Sequence, residues 1–300
     1  MVIPTSHKFG GAWTEEKLER LRKYLQAYMT IFSKNPKAKK YFKTIYVDAF
    51  AGTGSRNVTS EEQVAKLFDD IIDEDPDTQA FFKGSAAIAL ENTPSFNKYI
   101  FLEKKPEYAA ELTSLVNNQY PSLSHTVSIH NDEANQFLQD WCQKTDWKRT
   151  RAVVFLDPYG MEVKWQTLEV IAETQAIDLW ILFPLGQAVN RLLTRDKLPS
   201  DAWSHKLTEF FGTEDWKEAF YRKEVTMDLF CTRETVHKTA NLEVITDFFV
   251  ERLSKIFKKV ATPCELRNSR GVPIFLLCCA ASNPQGAATA IKIANHILKS

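Results

Sequence analysis

Short apolar runs rich in β-formers recur along this chain, each followed by a stretch with helical periodicity, and this alternation limits the fold more than anything else in it. The runs lie at residues 44–48, 99–102, 126–130, 152–156 and 177–183. Strands that read as nearly unbroken apolar runs are covered on both faces, and strands alternating with helices build a parallel sheet. The expected fold class is therefore α/β and Rossmann-like: a seven-stranded, mostly parallel sheet that ends in an antiparallel hairpin. With 300 residues and 44% hydrophobic composition, the chain can bury a large core, and residues 1–300 read as a single domain.

The remaining segments are assigned by the same periodicities. An N-terminal helix is expected over residues 14–33, where Thr14 precedes two acids and Leu18, Leu21, Leu25, Tyr28 and Phe32 form an apolar stripe. Residues 57–83 hold a dense run of acids, among them Asp69, Asp70, Asp73, Glu74, Asp75 and Asp77. They read as an acidic insertion, a solvated excursion or a lid, placed ahead of the helix that Gly84-Ser85 introduces. Residues 187–241 carry Trp203, Phe210, Phe211, Trp216, Phe220 and Tyr221 and are expected to form a helical cap after the fifth strand. A long helix over 242–259, a hairpin of 264–267 with 274–281, and a last helix over 286–299 complete the chain.

Lys+Arg and Asp+Glu are equal at 38 each, which argues against a strongly basic nucleic-acid binder while leaving room for local patches. The basic clusters are Lys34 to Lys43 and the group Lys148, Arg149, Arg151, Arg191, Arg195 and Lys197. The cysteines show no metal-ligand spacing, and Cys278-Cys279 falls in an apolar run expected in the core. Neither a signal-peptide pattern nor an apolar run long enough for a bilayer is present, so a soluble, cytoplasmic protein with no membrane partner is expected.

The chemistry is carried by strand ends, because ligands of open α/β sheets bind outside the carboxyl ends of the strands. Asp48 ends the first strand, Glu103 the second, Asp132 follows the third and Asp157 ends the fourth. The first opens the loop Asp48-Ala49-Phe50-Ala51-Gly52-Thr53-Gly54, in which Ala51, Gly52 and Gly54 let a ligand approach the backbone closely. A carboxylate at that tip suits a cationic or hydroxyl-bearing ligand better than a phosphate, pointing to S-adenosylmethionine (SAM). Glu103 suits a pair of ribose hydroxyls, and Asp132, or its neighbour Glu133, an adenine amine. Phe50 packs on the ligand or on the sheet edge. A P-loop is excluded because Gly-Lys-Ser/Thr is absent, and the dinucleotide fingerprint lacks its third glycine. Asp157-Pro158-Tyr159-Gly160 puts a rigid turn after a buried strand, with an acceptor and an aromatic ring at the mouth of the site. No nucleophilic triad is visible. Lys17, on the first helix, lies where it can reach the cofactor pocket or the substrate.

These residues resemble class I SAM-dependent methyltransferases, and Asp157-Pro158-Tyr159 looks like a shortened Asp/Asn-Pro-Pro-Tyr motif of base N-methyltransferases, with the second proline missing. A resemblance over nearly the whole chain is to the three-Cys-motif partner (TcmP) family, bacterial proteins with a methyltransferase-like fold. It rests on Ala12-Trp13-Thr14-Glu15-Glu16-Lys17-Leu18, Tyr24-Leu25, Asp48-Ala49-Phe50-Ala51-Gly52 and Gly84-Ser85-Ala86. It continues in Phe101-Leu102-Glu103-Lys104, Phe155-Leu156-Asp157-Pro158-Tyr159-Gly160, Asn190-Arg191, Phe211-Gly212-Thr213 and Leu266-Arg267-Asn268. The likeness to class I methyltransferases implies SAM as cofactor. The likeness of Asp157, Pro158 and Tyr159 to the base N-methyltransferase motif implies that these three are catalytic residues acting on a nitrogen of a nucleobase or nucleic acid. The TcmP resemblance supplies no substrate but implies a radical-SAM-like three-Cys-motif protein as partner. The alternative it leaves open is a non-catalytic module that assists or regulates that partner.

Overall fold

Continuous apolar stretches place the central strands, and the period of two along each sends neighbouring side chains into different cores. The computed structural model describes residues 12–53, 84–228 and 231–299. The acidic insertion at 57–83 and Gly54 lie outside the described residues. The sheet is built from β1 (Lys43–Asp48), β2 (Lys98–Leu102), β3 (Val127–His130), β4 (Thr150–Leu156) and β5 (Ile177–Phe183). Near the C-terminus come β8 (Lys259–Val260), β9 (Cys264–Arg267) and β10 (Pro273–Ala281). The strand order is β3-β2-β1-β4-β5-β10-β8, with β9 also on β10. The first five strands are mutually parallel, while β10 runs antiparallel to β5, β8 and β9. This is the expected Rossmann-like methyltransferase topology, with eight strands in the sheet among the described residues instead of seven. The extra strand is β8: the long helix stops at Ile256, Phe257 turns extended, and residues 259–260 join the sheet edge.

Each face of the sheet carries its own core. On one face Ile45, Val47, Ile100, Ala152, Val154 and Leu156 pack under α5 (Ala134–Lys144), α6 (Trp165–Glu173), α8 (Asp201–Phe211) and α10 (Leu242–Ile256). On the other, Tyr46, Tyr99, Phe101, Val153, Phe155 and Trp180 meet α1 (Ala12–Lys34), α3 (Ser85–Leu90) and α11 (Ala287–Lys299). α2 (Pro36–Tyr41), capped by Asn35, leads from α1 into β1, and α4 (Pro106–Gln119) links β2 to β3. Cys278 and Cys279 are fully buried in β10. No helix among the described residues is long and apolar enough to cross a membrane.

Residues 187–241 are only partly helical. After β5 the chain makes a π-helical turn (Leu185–Val189), the short α7 (Asn190–Leu192), then α8 and α9 (Trp216–Phe220). It next forms an antiparallel hairpin, β6 (Tyr221–Asp228) with β7 (Cys231–Lys238), separate from the main sheet. The aromatic, helix-period residues stop at Tyr221. Beyond it Val225, Thr226, Thr232, Thr235 and Val236 favour extended backbone, which corrects the all-helical reading.

Candidate functional site

Strand register brings three of the acids together. Asp48 is paired with Phe101 on one side and Phe155 on the other, so Glu103 and Asp157 stand just beyond it on the flanking strands. The loop leaving β1 is held to both neighbours: Ala49 N–H donates to Phe155 O at 3.2 Å, and Ala51 N–H to Leu102 O at 2.9 Å. Gly52 turns with φ 60°, a conformation that costs glycine little. Its N–H donates to Glu103 Oε2 at 3.0 Å, and Lys105 N–H donates to Oε1 at 2.9 Å. Glu103 thus clamps the loop while each oxygen keeps a second lone pair. Phe50 packs its partly buried ring against the first core.

Asp48 is fully buried. Its Oδ1 accepts the Phe50 N–H at 3.2 Å, and Oδ2 has no hydrogen-bond partner among the described residues. Burial pushes this carboxyl up to about 6, against the pull of Ser85 at the start of α3, the Phe50 N–H and the Lys17 charge. Asp157 is 3% exposed, and its Oδ2 accepts from Lys17 Nζ at 2.6 Å. Its Oδ1 has no partner among the described residues. Burial raises Asp157 to about 7 even though Lys17 lowers it, with Asp48 adding to the rise. Burial likewise pulls Lys17 down to about 8, against the two carboxylates. One lysine and two carboxyls therefore share a dry space at the tips of β1 and β4.

Pro158 is buried and Tyr159 half-buried, on the turn that Gly160 completes with φ 71°. That turn is anchored by Asn135, whose side chain donates to Glu162 O at 2.9 Å and accepts from Lys164 N–H at 2.8 Å and Thr167 Oγ1 at 2.9 Å. Asp132 is exposed beyond β3, where Asn131 ties the loop to Glu103 O and Lys104 O at 2.8 Å each. Glu133 is engaged elsewhere: as the cap of α5 it accepts from Asn135 N–H at 3.0 Å, Asn135 Nδ2 at 2.7 Å and Gln136 N–H at 2.9 Å. Its oxygens satisfy a helix start, as a carboxylate at that position commonly does. Of the two acids offered for the adenine amine, Asp132 is the one left open to a ligand.

Lys17 and Asn135 are the residues that sequence reasoning placed least well. A signal for Lys17 does exist: it falls on the buried stripe of α1 between Trp13 and Leu21, where a lysine needs a partner. For Asn135 there is none, since apart from its neighbour Glu133 its partners come from another loop and from α6.

A doubly covered parallel sheet with an antiparallel C-terminal strand, and acids gathered at the carboxyl tips of β1, β2 and β4, defines a Rossmann-like fold of the class I methyltransferase kind. The sequence matches no family model and no curated protein. Among solved structures, one similar chain is protein LPL1258 of Legionella pneumophila, with a TM-score of 0.45 and 11% identity over 98% of this chain and 93% of that one. Another is a putative SAM-dependent methyltransferase of Listeria monocytogenes, with a TM-score of 0.35 and 10% identity over 80% of this chain and 92% of that one. A third is the glycopeptide N-methyltransferase MtfA complexed with SAM, with a TM-score of 0.35 and 11% identity over 93% and 99%. The chemistry rests on the side chains of this chain, not on these distant likenesses.

Proposed function

We propose that the protein binds SAM across the carboxyl ends of β1, β2 and β4 and transfers a methyl group to a nitrogen of a nucleobase or nucleic acid. The observation that carries this reading is the convergence of Asp48, Glu103 and Asp157 around a loop whose Gly52 N–H is held by Glu103. The orphaned, buried Asp48 Oδ2 fits a ligand that brings a donor, such as an amino group. Glu103 has lone pairs for two ribose hydroxyls, and Asp132 an acceptor for an adenine amine. When bound, the cofactor supplies an electrophilic methyl group. Around it, Asp157 Oδ1 accepts an N–H of the acceptor amine, the ring of Tyr159 stacks on a base, and Pro158 fixes the turn that aims both.

Calorimetry with SAM or S-adenosylhomocysteine tests the binding step. Glu103→Ala removes two charge-assisted acceptors, each worth about 1.5–3 kcal/mol, and should weaken binding by at least roughly tenfold. Gly52→Arg should abolish it. No heat with the intact protein, or unchanged affinity in both variants, would sink the proposal.

A second reading is favoured by the closure of Asp157, which is 3% exposed and ion-paired to Lys17. In that reading the chain is a methyltransferase-like module that binds a partner, of the three-Cys-motif kind the sequence resemblance implies. Labelled SAM incubated with cell extract separates the two. An enzyme labels a nucleic-acid fraction and loses that activity in Asp157→Ala while keeping cofactor affinity, whereas a module labels nothing.

A further inference from the structure

We propose that the cleft between α7 and the base of the β6–β7 hairpin is a binding site for the phosphodiester backbone of single-stranded nucleic acid. This deepens the nucleic-acid reading of the acceptor and rests on it for the identity of the ligand. The cleft encloses about 750 Å³, and its lining includes Asn190, Arg191, Arg195, Asp196, His237 and Lys238. β5 runs parallel to β4 and β1, so the segment that follows Phe183 leaves the sheet at the edge where Asp48 and Asp157 stand. The lining residues of α7 and its loop follow from that edge.

Charge and geometry both favour an anion. Arg191 and Arg195 are exposed, and neither makes an ion pair among the described residues. Lys238 donates from Nζ to Asn190 Oδ1 at 2.6 Å, a neutral partner. Burial and then the nearby Arg195 pull this lysine below its ordinary value, as expected where two cations line one concavity. Among the described lining residues the one acid is Asp196, 82% exposed and 3.4 Å from His237 Nδ1. In a chain of zero net charge, this is a local excess of positive charge in a concavity. The walls are held by one backbone bond, Lys238 N–H to Arg195 O at 2.7 Å, and one side-chain bond, Tyr221 Oη to Thr194 O at 3.0 Å. The cations are therefore presented from a tethered loop. Guanidinium groups match phosphate oxygens bidentately, which makes Arg191 and Arg195 the principal contacts.

The test is fluorescence anisotropy of a fluorescein-labelled oligouridylate against salt concentration. Each phosphate contact on a single strand contributes about 0.7 to the slope of log K against log salt. The double variant Arg191→Gln/Arg195→Gln should lower that slope by roughly 1.4 (two such contacts) and weaken binding several-fold, with Lys238→Met acting in the same direction. Replacement of Lys37, Lys39 and Lys40 by Gln, on α2 at the amino end of β1 and away from the carboxyl tips, should leave the slope unchanged. The proposal is overturned if the native protein does not bind the probe, or if the α2 lysines and not the arginines set the slope. Calorimetry with SAM on the same proteins keeps the two claims apart. RNA binding without cofactor binding retires the enzyme reading and leaves the cleft, and cofactor binding without RNA binding does the reverse.

Discussion

Lys17 and Asp157 meet across 140 residues of sequence, both buried, at the centre of the candidate site. Breaking a buried pair leaves an uncompensated charge, which costs about 3–5 kcal/mol. Lys17→Met should therefore lower the unfolding free energy substantially in urea titrations, and Lys17→Met/Asp157→Leu should recover much of the loss. Equal destabilisation by the single and double variants would show that the pair contributes nothing specific. Protonation adds a second expectation. Burial raises Asp157 to about 7, and Asp48 and Asp178 to about 6, from an ordinary value of 3.8. The folded state then keeps protons that the unfolded chain has lost, so this contribution is full below pH 3.8 and is lost as pH rises through 6 to 7. Lys17, lowered from 10.5 to about 8, acts in another window: its cost is present below 8 and is relieved as pH approaches 10.5. Urea midpoints measured across the acid window should fall with pH in the native protein and flatten in Asp157→Asn and Asp178→Asn. Asp178 also has a structural role, accepting from Tyr24 Oη at 2.7 Å beneath Trp180.

The elements above the first core depend on one backbone position. α8 begins at the Ser200 cap and ends at Gly212, whose φ of 68° is left-handed. A methyl group there would lie 2.1 Å from Trp165 Cδ1, so helix α8 closes directly onto the indole of α6. Gly212→Ala combines a left-handed penalty of roughly 1–2 kcal/mol with overpacking of about 1–3 kcal/mol. Thermal melts should show a clear loss, with SAM affinity unchanged because α8 contributes no residue to the proposed cofactor site. A neutral substitution would mean that Trp165 moves aside without cost. The sequence reads over residues 187–241 as one helical cap without marking the bounds of α8, which the Ser200 cap and the left-handed Gly212 set. The β6–β7 hairpin was not legible either, because the aromatic residues ahead of it continue a helical pattern up to Phe220. β-Branched residues then take over with no glycine turn among the described residues to announce the change.

The molecule as a whole is a sheet with two cores, and among the described residues the β6–β7 hairpin forms a separate two-stranded sheet. β1, β4 and β5 are paired on both edges and buried on both faces, whereas β6 and β7 pair only with each other. Hydrogen exchange should accordingly be slowest in β4 and β5 and markedly faster in Arg222 to Val225, whose side chains are exposed. Uniform protection over both regions would contradict this ranking. Strands β1 to β5, β9 and β10, most helix boundaries and the acids at the strand tips could be read from the chain alone, because apolar periodicity and capping are local properties. The meeting of those acids was decided by the fold. Register sets Asp48 between Glu103 and Asp157, α1 carries Lys17 onto Asp157, and α5 takes Glu133 for its own cap. Burial and pairing depend on neighbours that are distant in sequence, so the charge state of each acid is a property of the packed structure.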